Sequence, residues 1–295
     1  MAVKTNTTLM ANYATVNPRE IDFVTRFERN WRALMDIMGI SRPIKKVNGT
    51  KLVSRVASVT LQSGAVAEGD EIPYSQATVT ETPYADITIE KYAKAVSIES
   101  IAKYGYDVAI EKTDDEFLNE LQSTVLSKFY TYIQTGTLTD NTMATFQEAL
   151  AKAKGAVLNA FSNMNRTCTE VVGFVNVEDA YEYLGTASIS VQTQSGLTYL
   201  ENFMGYRTVF LCGSNQIPSG TVIAIPRENL DLYYIDPSDS DFARAGLQFT
   251  TDGVTNLLGF HTEGKYSHAV SEAFAIMGMV LFAEYLNGIA VYSGF

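Results

Sequence analysis

The sequence predicts an α+β chain. Three observations lead there. Asp114–Thr135 carries the apolar spacing of one long amphipathic helix. Residues 47–99 hold two runs rich in β-branched residues around a turn-rich segment. From about Asn141 helical and strand-like patterns alternate. At 295 residues the chain has the length of one large domain or two modest ones, and 46% hydrophobic residues exclude whole-chain disorder. Two cysteines, Cys168 and Cys212, exclude a disulfide scaffold and a CxxC zinc site, and read as thiols of a reducing compartment.

The net charge of −11 argues against a free-standing nucleic-acid binder. It hides a split. Residues 1–55 hold ten basic and four acidic groups, a net of +6, which leaves −17 on the other 240 residues. A basic segment on an acidic body can grip the body of another copy, face a polyanion, or be a solvated helix face.

In chain order, residues 1–15 are polar, lack the apolar core of a signal peptide, and read as part of a flexible arm over 1–17. Arg19–Met38 has the spacing of an amphipathic helix, with Asn17 as N-cap, Pro18 at the first position and Gly39 as its end. Its apolar stripe, flanked by Arg19, Arg26, Arg29 and Arg32, fits a partner surface or the core side of a surface helix. Val53–Leu61 and Thr78–Ile98 predict a long two-stranded arm, with Gly64–Tyr74 as its tip. A lone ribbon is marginal in water, so the arm must lie on something else. Thr113 and Glu116 read as a capping box opening the long helix, about 33 Å in length, and Gly136 as its close. Then come a helix over Thr142–Phe161, a strand Glu170–Val175, Asn176 capping a short helix, two strands at Gly205–Leu211 and Thr221–Ile225, and a third at Leu230–Ile235. The end is strand-like. Its longest apolar run, Ala273–Ala283, falls far short of the roughly 20 residues of a membrane span.

Catalytic constellations are thin. His261 and His268 have neither zincin nor zinc-finger spacing, and His268, Ser271 and Glu272 are too generic to be a triad. Gly259–Lys265 matches G-x-x-x-x-G-K, but Tyr266 stands where Ser or Thr would hold Mg²⁺, and an extended segment is expected after it. No catalytic residue, metal or cofactor is expected.

The order of parts resembles the major capsid protein of tailed bacteriophages, the Hong Kong 97 type. Ala67–Pro73 (AEGDEIP) resembles the tip of that family's extended loop, the E-loop. Lys91–Glu99 (KYAKAVSIE) resembles the strand returning into the peripheral (P) domain, and Asp114–Gly136 the spine helix. Val172–Leu184 resembles the opening of the axial (A) domain, and Met204–Val209 followed by Ile217–Thr221 its G-x-x-V … P-x-G strand pair. The resemblance implies an N-terminal arm and helix over 1–45, an E-loop over 46–95, a P domain with spine helix over 96–140, an A domain over 141–245 and returning P-domain strands over 246–295.

It further implies a non-enzymatic subunit that self-assembles into pentamers and hexamers of an icosahedral shell around double-stranded DNA, without sequence-specific binding or a membrane. Scaffolding and portal proteins would be partners, and the virion, assembled in the host cytoplasm, the location. The expected interface residues are Gly64, Glu68, Gly69, Asp70, Glu71, Ile72, Pro73 and Tyr74 on the E-loop, and Arg19, Phe23, Arg26, Arg29, Trp31 and Arg32 on the arm. Gly64 and Gly69 would let the loop bend. Some members begin with a cleaved scaffolding segment, which is not seen here. Some weld subunits through an E-loop lysine, but no lysine occurs between Lys51 and Lys91. The alternatives are an encapsulin shell packing an enzyme, and an α+β enzyme using His261 and His268.

Overall fold

The computed structural model describes residues 19, 41–185, 192–194, 197–227, 229–251 and 256–295. Among the described residues the first strand is β1 (Ser41–Lys45), followed by a hairpin of β2 (Lys51–Thr60) and β3 (Gln76–Asp86), then β4 (Glu90–Ser97). Helix α1 (Ile98–Tyr104) and a π-helical turn (Asp107–Glu111) lead directly into the long helix α2 (Lys112–Ile133). Next come β5 (Leu138–Asp140), α3 (Phe146–Asn163), β6 (Val171–Asn176), α4 (Val177–Leu184), β7 (Gln192–Gln194), β8 (Leu197–Glu201), β9 (Thr208–Cys212), β10 (Thr221–Pro226) and β11 (Leu230–Tyr234). The short α5 (Ser240–Arg244) precedes β12 (Leu258–Lys265), β13 (Val270–Met277), β14 (Met279–Ala283) and β15 (Ala290–Ser293).

A seven-stranded mixed sheet, ordered β5-β15-β10-β6-β9-β8-β7, is the centre of the fold. Its inner strands are buried on both faces, so they read as continuous apolar runs. Period-two alternation sorts their side chains. Phe174 of β6, Phe210 of β9 and Ile223 of β10 share one core with Leu118, Leu121, Val125 and Phe129 of α2. Val175, Val209 and Val222 share the opposite core with Leu150, Ala153 and Val157 of α3. Each such Val, Leu, Ile or Phe side chain contributes about 1.5 to 3 kcal/mol of burial.

Two three-stranded sheets flank it. One is ordered β12-β13-β4, the other β1-β11-β14, with β1 parallel to β11. The Ala273–Ala283 run is split between them at Gly278. A Cβ there would lie 2.8 Å from Ile235, whose N–H donates to the Gly278 carbonyl at 2.8 Å. Hairpin β2–β3 forms a two-stranded sheet of its own.

Several expectations are corrected. Thr113 does not cap α2. Its Oγ1 donates to the Ala109 carbonyl at 2.7 Å, one turn back, because the π turn carries the helix in from Asp107. The capping box lies at Thr145–Glu148 instead. There Thr145 Oγ1 accepts from the Glu148 N–H at 3.2 Å and Glu148 Oε2 from the Ala144 N–H at 3.0 Å, so α3 begins at Phe146, not Thr142. The strands β9 and β10 do not pair with each other. Strand β6 lies between them, parallel to β9 and antiparallel to β10. Ile98, read as strand, opens α1. Tyr266–Ala269, expected extended, is the turn of the β12–β13 hairpin. The Asn176 cap stands: its side chain accepts from the Glu178 N–H at 2.8 Å.

Candidate assembly interface

Among the described residues the hairpin is the most exposed element. Leu61, Ile72 and Tyr74 show 80%, 67% and 91% of their surface to solvent, and Val59 and Val79 are exposed as well. Gly64, Glu68, Gly69, Asp70, Glu71 and Pro73 are all exposed beside them. Ala67–Asp70 forms a tight turn, with the Asp70 N–H donating to the Ala67 carbonyl at 3.1 Å. Gly69 has φ 89°, a left-handed conformation that excludes most other residues. Gly64 does not, so only one of the two glycines is required by the backbone.

The root of the hairpin is anchored. Tyr84 donates to the Leu281 carbonyl at 3.0 Å, and its ring meets Phe282 edge-on at 4.9 Å and Tyr132 at 6.1 Å. A cleft of about 480 Å³ opens below it, lined by apolar side chains such as Val125, Phe129 and Leu281, with the Glu90–Lys128 ion pair at its rim. Burial, with the carboxylate of Glu90 next in weight, pushes the Tyr92 hydroxyl pKa up to about 12.

Of the arm residues, Arg19 lies among the described residues; Phe23, Arg26, Arg29, Trp31 and Arg32 lie outside them, as does the rest of the helix expected over Arg19–Met38. Arg19 engages its own chain. Its guanidinium donates from Nε to Asp114 Oδ2 at 2.6 Å and from Nη2 to Oδ1 at 2.7 Å, and a third bond reaches Ser271 Oγ at 3.0 Å. Lys94 also donates to Asp114. The Asp114 side chain is 2% exposed. Burial alone would raise its pKa. The hydrogen bonds from Arg19 and Lys94 outweigh burial and hold the carboxyl below its ordinary value. Farther along, Arg42 pairs with Asp231 at 2.9 Å and Lys45 with Asp236 at 2.8 Å, so these basic residues too are taken up within the chain.

Sequence reasoning missed Asp114 as a site residue. The signal was present: Asp114, Leu118 and Leu121 share one stripe of the long helix, and an acid at a core position demands a cation.

The inventory for chemistry is short. His261 lies in β12 opposite Phe274, whereas His268 lies in the turn, bonded to Ser267 at 2.8 Å. Gly259–Lys265 is strand β12 and leads into a turn, not a helix, which does not cradle phosphate. Burial pushes the Cys212 thiol pKa up to about 12 and that of Cys168 upward, so neither is a ready thiolate. Among the described residues no group of three His, Cys, Asp or Glu is placed to hold a metal ion, and no helix is long and apolar enough to cross a membrane.

No protein-family model matches the chain, and no curated protein does. Solved structures do. The mature capsid of bacteriophage PhiM1 aligns at TM-score 0.56 and 8% identity, over 86% of this chain and 85% of that one. Gordonia phage Cozz aligns at 0.55 and 10%, over 88% and 86%. The virus-like particle of Pyrococcus furiosus aligns at 0.53 and 12%, over 94% of this chain and the whole of that one. The chain therefore has the Hong Kong 97-type fold of phage capsid shell proteins.

Proposed function

We propose that the chain is a major capsid subunit. Copies assemble as pentamers and hexamers into an icosahedral shell that encloses double-stranded DNA, with scaffolding and portal proteins as partners, and the shell is the head of a virion assembled in the bacterial cytoplasm. The role is structural, with no catalytic step. In this reading 46–95 is the E-loop, 96–140 the P domain with its spine helix, 141–245 the A domain, 246–295 the returning P-domain strands, and 1–45 the arm.

One observation carries the reading: the hairpin projects from the body and leaves Leu61, Ile72 and Tyr74 exposed. A two-stranded ribbon with open edges and apolar side chains gains stability only against another surface. In a shell each copy supplies that surface to its neighbour, and many modest contacts sum by symmetry. Deletion of Gly64–Tyr74 should abolish closed particles in electron microscopy while the subunits stay soluble and folded; intact particles from the deletion would refute the role.

A second reading is a protein-packing compartment of the same fold. The same fold and the same exposed hairpin serve it equally. Nuclease-protected DNA inside purified particles supports the capsid, and protein contents without DNA support the compartment.

A further inference from the structure

The hairpin is acidic at its tip and basic at its root. From Leu61 to Ser75 it carries Glu68, Asp70 and Glu71 and no Lys or Arg. At the root, Lys46 and Lys51 flank a cleft of about 210 Å³ walled by Tyr233 and Phe282. The neighbouring cations Arg42 and Lys45 are already paired. Lys46 and Lys51 are not. The Lys46 ammonium lies 5.3 Å over the Tyr233 ring. Lys51 stands opposite Asp86 in the ladder, and neither lysine makes an ion pair among the described residues. The cleft thus offers one ammonium group over an aromatic face and a second lysine in its lining. The tip offers three carboxylates next to the exposed Ile72 and Tyr74.

No single chain can join the two. At about 3.4 Å per residue, β2 holds the tip roughly 34 Å from the root of its own hairpin, and the continuous ladder from Val53–Pro83 to Thr60–Gln76 keeps the ribbon from doubling back. The complementary surface within reach belongs to a second copy.

We propose that Glu68–Tyr74 of one copy seats in the Lys46–Lys51 cleft of another. This rests on the shell reading and names the surface that reading uses. The carboxylates meet the two lysines and fix register, while Ile72 and Tyr74 cover the aromatic wall. Charges in such a contact select orientation and partner, and apolar burial holds it.

Charge reversal with rescue tests it. Lys46→Glu with Lys51→Glu should lower the yield of sedimenting particles by about tenfold or more, as like charges meet across the contact. The triple variant Glu68→Lys, Asp70→Lys, Glu71→Lys should do the same, and combining all five substitutions in one chain should restore assembly. Independently, Lys51→Cys with Glu71→Cys should give disulfide-linked multimers in non-reducing gels. Wild-type yield from the lysine variant, or particles that form without cross-linking, would overturn the proposal and leave the shell reading intact. Normal particles that lose only their DNA would overturn it as well, by assigning the cleft to a polyanion. A wild-type chain that never forms particles would overturn both.

Discussion

Asp114 shows what one side chain does here. It is an acid on the core side of α2, met by Arg19 in a fork and by Lys94. Removing its charge leaves two cations without their counter-ion in a site of 11% and 2% side-chain exposure, and breaking a buried pair from one side costs about 3 to 5 kcal/mol. Asp114→Asn should therefore lower the urea midpoint of unassembled subunits clearly, whereas Arg244→Ala, in an exposed pair with Asp241, should change stability by no more than about 1 kcal/mol. The pH dependence has a definite sign. The carboxyl is held below its ordinary value in the folded chain, so its contribution is complete above the unfolded value of about 3.9 and is lost as pH falls through the lower folded value. The gap between wild type and Asp114→Asn should stay constant from pH 7 to about 5 and close in stronger acid; a gap that grows in acid would contradict this. Gly136 works differently. It reads in sequence as a helix terminator, but Gln134 is the C-cap, and a Cβ at 136 would lie 2.6 Å from the Ile289 side chain and carbonyl. Its role is close approach of two backbones, which local patterning does not reveal.

At the scale of elements the hairpin and α2 stand at opposite extremes of self-sufficiency. Leu121 is 2% exposed and shared between helix and sheet, so Leu121→Ala should destabilise isolated subunits by about 2 to 5 kcal/mol. Leu61→Ser and Tyr74→Ser, at exposed positions, should leave subunit unfolding within about 0.5 kcal/mol of wild type and instead impair assembly. A loss of subunit stability on Tyr74→Ser would mean that the tip packs on its own chain. The same contrast explains what was legible in the sequence. The long helix, the β-arm and the Asn176 cap depend on local spacing and turn chemistry, and were readable. The insertion of β6 between β9 and β10 depends on pairing between distant segments, and the strands Ser41–Lys45 and Leu138–Asp140 are short edge elements held in parallel by β11 and β15. No local pattern encodes such partners. Thr113 fails as a capping-box residue because the π turn ahead of α2 supplies backbone acceptors that the sequence does not display. Of the residues proposed for the interface, those of the tip could be placed in an exposed turn because turn-rich polar sequence between β-branched runs has few other folds. The root cleft was not, since Lys46 and Tyr233 meet only through the β1–β11 pairing.

The whole molecule is held by apolar burial and associates, in the reading proposed here, partly by charge. The +6 of residues 1–55 first suggests a strap reaching across to the acidic body of another copy, yet Arg19, Arg42 and Lys45 spend their charge on Asp114, Asp231 and Asp236 of the same chain. With no lysine between Lys51 and Lys91, no lysine-mediated weld can form on the tip, so particles boiled in denaturant should run as a single band near 32.4 kDa; a ladder of multiples would contradict this. Non-covalent association then has to respond to salt in a particular way. Raising the salt from 0.1 to 1 M shortens the screening length from about 10 to about 3 Å. The buried Arg19–Asp114 pair is little exposed to that screening, whereas a contact between exposed Lys51 and exposed Glu71 is fully exposed to it. Assembly yield should therefore fall with salt while the unfolding midpoint of unassembled subunits hardly moves. Lys46→Gln with Lys51→Gln should start from a lower yield and lose most of the salt dependence, because the screened charges are already gone. If wild-type assembly is indifferent to salt, the exposed side chains Leu61, Ile72 and Tyr74 drive association alone and the complementary charges of root and tip play no part in it.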